Sequence, residues 1–138
     1  MKRKVLTILM SLTLAFTGCS KVSESNTLKE AKHQLENHNY EDAITILSQI
    51  INEDSNNDEA RAMYIQARKM LNAEKYESNN DIKRAINELD DIVNISNGSQ
   101  LINKESINKK SELENLQEER EKDFQQKNIM LKNLQESN

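Results

Sequence analysis

Residues 39–60 read NYEDAITILSQIINEDSNNDEA, and their spacing decides the fold. Tyr40, Ala43, Ile44, Leu47, Ile50 and Ile51 recur at i, i+3, i+4, i+7, i+10 and i+11, which places them on one face of a helix. Asn39 stands where an N-cap would, and Glu41 and Asp42 suit the positive end of the helix dipole. The run Asp54-Ser55-Asn56-Asn57 stops the helix with residues that prefer turns. A second apolar face then begins at Ala60 and continues through Met63, Tyr64, Ala67, Met70 and Leu71, predicting a helix to about Glu77.

Working outward, Thr27-Leu28-Lys29-Glu30 has the form of a capping box, with Leu28, Ala31 and Leu35 at helical spacing behind it. This predicts a first helix to about Asn37, with His38 and Asn39 as the turn. Downstream, Ala85, Ile86 and Leu89 repeat the pattern of Ala43, Ile44 and Leu47, and Ile92 and Val93 echo Ile50 and Ile51. Asn97-Gly98 is expected to close this fourth helix, with Gly98 at the left-handed position beyond its end and Ser99 capping the next. From Leu101 the apolar positions thin out, and Arg120 and Asp123 interrupt a heptad seam, so a long and largely solvated last helix is expected rather than a sustained coiled coil. The chain has no proline and two glycines, so helix breakers are nearly absent. The fold class is all-α: antiparallel helical hairpins over 27–98, then a long C-terminal helix over 99–138.

The stretch from Asn39 to Ala60 resembles the second helix of a tetratricopeptide repeat and the step into the next repeat. In that family a tyrosine opens the helix and an alanine follows three residues on, as Tyr40 and Ala43 do here. The family's Asp-Pro-Asn-Asn turn is matched by Asp54-Ser55-Asn56-Asn57, with serine in place of proline. Ala31 stands where the preceding helix carries its small packing residue. Ala43 and Ala85 are 42 residues apart, against a family period of about 34, and the excess falls between Leu71 and Asn80. The resemblance implies about two repeats that act as a protein- or peptide-binding module. It places the groove on the first helices of each hairpin, around Lys32, Leu35, Met63 and Gln66.

The N-terminal end carries a different signal. Lys2-Arg3-Lys4 precedes an apolar run from Val5 to Phe16, too short for a spanning helix, and Phe16-Thr17-Gly18 leads to Cys19, the only cysteine. This resembles a bacterial lipoprotein signal peptide, with phenylalanine where the family usually has leucine. The resemblance implies a signal over 1–18, lipidation of Cys19, a polar tether over 19–26, and a location on the extracytoplasmic side of the membrane. Two acyl chains would hold such an anchor firmly.

Charge and composition narrow the partners. Three of the 19 basic residues precede Cys19 and all 23 acidic residues follow it, so residues 19–138 carry a formal balance of −7. That argues against nucleic acid, whose phosphates need a basic face. His33 and His38 are five apart and do not form an i, i+4 metal pair. Asp54, Asn56 and Asp58 begin like a calcium loop, but Glu59 and Ile65 take the positions of its glycine and its bidentate glutamate. No phosphate loop, nucleophile set or carboxylate pair stands out, so the reading is a non-enzymatic binding protein without cofactor or metal. The alternative is an envelope spacer that self-associates through its C-terminal helix.

Overall fold

The computed structural model describes residues 20–137 as five helices: α1 (Ser20–Glu36), α2 (Tyr40–Glu53), α3 (Asp58–Ser78), α4 (Ile82–Val93) and α5 (Gln100–Glu136). Each helix packs on the one before it and the one after it, and α1 also touches α3 and α5. Helices that pack on their sequence neighbours through short links run antiparallel, so the described chain is a stack of hairpins closed by α5. Among the described residues no helix is long and apolar enough to cross a membrane. The expected signal over 1–18 and the lipidation site Cys19 lie outside the described residues.

The turns after α1 and α3 are made without glycine. His38 and Asn80 take φ values of 64° and 60°. Asn39 N–H reaches Gln34 C=O at 2.9 Å and His38 N–H reaches Leu35 C=O at 3.2 Å. Asp81 N–H to Tyr76 C=O and Asn80 N–H to Glu77 C=O, both 2.8 Å, repeat the pattern. These are Schellman closures that satisfy the last carbonyls of α1 and α3. Asn57 Oδ1 then accepts from Ala60 N–H at 3.0 Å to start α3, and Asp81 Oδ1 accepts from Arg84 N–H at 3.2 Å to start α4.

Four local expectations change. The expected 19–26 tether is helical from Ser20 on, which places Thr27 seven residues inside α1 instead of at its cap. Nothing between Ser20 and Asn26 is a strong helix breaker. Asn39 makes no side-chain cap on α2, because its amide donates to Gln34 Oε1 at 2.8 Å instead. The fourth helix ends at Val93, four residues before Asn97. The left-handed residue there is Asn97, φ 65°, and not Gly98.

The core follows the apolar faces. Tyr40, Ala43, Leu47 and Ile50 of α2 are buried against Ala60, Met63, Ala67 and Met70 of α3 and against Ala31 and Leu35 of α1. Ala85, Leu89 and Ile92 continue the core into α4, and Ile102 and Leu113 into α5. Ala31, Ala43, Ala60, Ala67 and Ala85 have no exposed surface, so small side chains stand where helix axes come closest. Outside the core, Lys69 of α3 bridges Glu88 at 3.3 Å and Asp91 at 2.7 Å on α4. Lys110 of α5 pairs with Asp90.

Candidate binding cleft

The Schellman turn at His38 does more than end α1. It sets the imidazole beside the start of α2, where His38 Nδ1 and the Tyr40 hydroxyl share a 2.7 Å hydrogen bond and the two rings meet edge to face. Tyr40 is buried. Burial first, and then the carboxylates of Glu74 and Glu105, push its hydroxyl far above the usual tyrosine range, so it stays protonated.

Beside this pair α3 and α5 flank a cleft of about 400 Å³. Met70 and Ala73 of α3 and Leu89 of α4, all buried, supply its apolar floor. Glu74 and Glu77 stand on the α3 side, and Glu105, Asn108, Lys109 and Glu112 on the α5 side. Spacings of three and four residues put each set on one helical face. Lys109 spans the opening, with Nζ 2.9 Å from Glu77 and 3.6 Å from Glu112. The lining thus holds four carboxylates and one ammonium.

Two of the carboxylates are poorly compensated. Glu105 Oε2 is sealed from solvent and accepts no hydrogen bond, and His38 Nδ1 stands 3.9 Å away. Glu74 has its carboxyl pushed above the usual range by desolvation and by Glu77, against the opposing charges of His38 and Lys109. A cation entering the cleft would offset the desolvation and like-charge cost at Glu74. Chemically the cleft can hold an aliphatic stem and neutralise a positive head.

Comparison with protein-family models, curated proteins and solved structures finds no match. The cleft is therefore read from its own geometry, and it is not the groove expected from the sequence. Leu35 and Met63 are core residues with no exposed surface. Gln66 is equally buried and serves as an internal polar lock: its Nε2 donates to Ser99 C=O at 3.1 Å and to Asn103 Oδ1 at 2.7 Å, and its Oε1 accepts from Ser99 N–H at 2.7 Å. Of the four expected contact residues only Lys32 is exposed, on α1 and outside the cleft lining. The correction has a simple cause: in α1 and α3 the apolar stripe is wide enough that the positions assigned to a groove turn inward. Among the described residues no group of three His, Cys, Asp or Glu side chains is placed to hold a metal.

Proposed function

We propose that the protein is a lipid-anchored, exported binding module that presents this cleft to a basic segment of a protein or peptide at the membrane surface. The observation that carries the ligand class is the cleft itself, apolar below and acidic around its opening, with Glu74, Glu77, Glu105 and Glu112 in its lining. A lysine or arginine stem fits along Met70 and Leu89 while its charged head reaches Glu105 and Glu74. The hairpin stack supports a tetratricopeptide-type reading, in which short helices hold a groove in place. The anchor rests on the Phe16–Cys19 pattern.

Fluorescence anisotropy tests the ligand class directly. A peptide with alternating lysine and leucine should bind and a glutamate–leucine peptide should not. Glu105→Gln combined with Glu74→Gln should weaken the basic peptide at least about tenfold, about 1.4 kcal/mol, as expected for a lost charge-assisted contact. Binding should also weaken as salt rises. Equal affinity for both peptides would sink the assignment. For the anchor, mass spectrometry of the membrane fraction should find acylated Cys19 as the first residue; an intact Met1 would overturn it.

A further inference from the structure

Arg120 marks the end of the bundle. Its Nη1 donates to Asn80 Oδ1 at 2.6 Å, just before α4 begins, and every described residue from Gln117 onward is exposed. Yet the stripe that faces the bundle does not stop there. Leu113, Gln117, Arg120, Phe124, Lys127, Leu131 and Leu134 follow one another at spacings of three and four, so they share a face of α5. Leu113 on that face is 2% exposed, whereas Phe124, Leu131 and Leu134 are 61%, 59% and 56% exposed, with Met130 beside them. One continuous stripe is thus covered at Leu113 and bare from Gln117 on.

We propose that the bare half is covered by the same half of a second copy, running antiparallel. Charge selects both the occupant and the direction. A parallel pair in register would press Lys127 on Lys127 and Arg120 on Arg120 within the seam. Reversing one helix in the register that sets Arg120 opposite Leu131 of the other copy also sets Lys127 opposite Phe124, so the stems of these cations lie on apolar surface and their heads reach the edge. It also turns the segment with Glu118, Glu119, Glu121 and Asp123, which outnumber Arg120 and Lys122, toward the half in which Lys127 and Lys132 outnumber Glu136. The helix dipoles then oppose as well. The overlap is about 25 Å long. It buries four large apolar side chains from each copy, an interface near the lower bound of about 1,000 Å² for specific association. The pairing therefore belongs to the weak, reversible class.

Photo-crosslinking of the full chain in its native membrane is the test, because it captures weak pairs. A benzophenone side chain in place of Phe124 should give a dimer-sized product, with the crosslink mapped by mass spectrometry to residues 127–134 of the second copy. Leu131→Glu together with Leu134→Glu should lower that product at least tenfold while circular dichroism stays unchanged, since both side chains are more than half exposed. A crosslink from 124 to 124, crosslinks to lipid or to another protein alone, or a monomer throughout would each overturn the proposal.

Discussion

Gly98→Ala should lower the unfolding free energy by about 3 kcal/mol, a large share of what a domain of this size has. The cause is space and not backbone freedom. A Cβ at position 98 would sit inside contact distance of the whole Gln66 carboxamide, 2.6 Å from its Nε2. That amide cannot swing away without cost, because it holds Ser99 N–H, Ser99 C=O and Asn103 Oδ1 together. Displacing it strands two backbone groups of a fully buried residue, at about 1–3 kcal/mol for each such group. The damage spreads along the chain. Ser99 Oγ accepts from Ile102 N–H at 3.4 Å to start α5 and donates to Glu36 Oε1 of α1 at 3.0 Å. The α5 side of the cleft is hung from this one residue. Gln66→Ala should cost a similar amount, and the two substitutions together should cost about 1–3 kcal/mol less than their sum, because the shortened side chain removes the clash. Urea unfolding of the four proteins measures the cycle; additive losses would show that Gly98 and Gln66 do not act on each other.

How much of this was legible follows residue by residue. Helix faces were, because burial has a period. Tyr40, Ala43, Leu47 and Ile50 on α2 and Ala85, Leu89 and Ile92 on α4 sit in the core where their spacing put them. The long C-terminal helix was legible too, from its sparse apolar positions. The Gln66 lock was not. A lone glutamine on a helix is ordinarily a surface residue, and its partners Ser99 and Asn103 lie 33 and 37 positions away. The cleft was hidden for the same reason. Glu74 and Glu77 share a face of α3, and Glu105, Lys109 and Glu112 share a face of α5, but each set alone reads as solvated charge. Only the packing of α5 after α4 turns the two sets toward one opening. The turn at His38 and Asn39 was legible, but the left-handed residues were not, because histidine or asparagine takes the conformation usually left to glycine at His38, Asn80 and Asn97.

The same reasoning separates a core from a groove at the positions where the two readings compete. Leu35→Ala and Met63→Ala should each destabilise the fold by about 2–5 kcal/mol, because each removes a side chain with no exposed surface and leaves a cavity that neighbouring helices fill only in part. Lys32→Ala should change stability by less than about 0.5 kcal/mol, as an exposed position on α1. A groove would give the reverse ordering of effects, with folding little changed at all three and ligand binding lost at each. Leu35 and Met63 also lie on neighbouring elements of one cluster, which includes Leu47 between them in sequence. Their losses should therefore couple, the double variant departing from additivity by more than the few tenths of a kcal/mol seen for distant sites. Thermal or urea unfolding of the single and double variants, followed by peptide binding on whichever remain folded, settles the ordering. Stable Leu35→Ala and Met63→Ala proteins that no longer bind would return these residues to the surface and take the cleft between α3 and α5 out of contention.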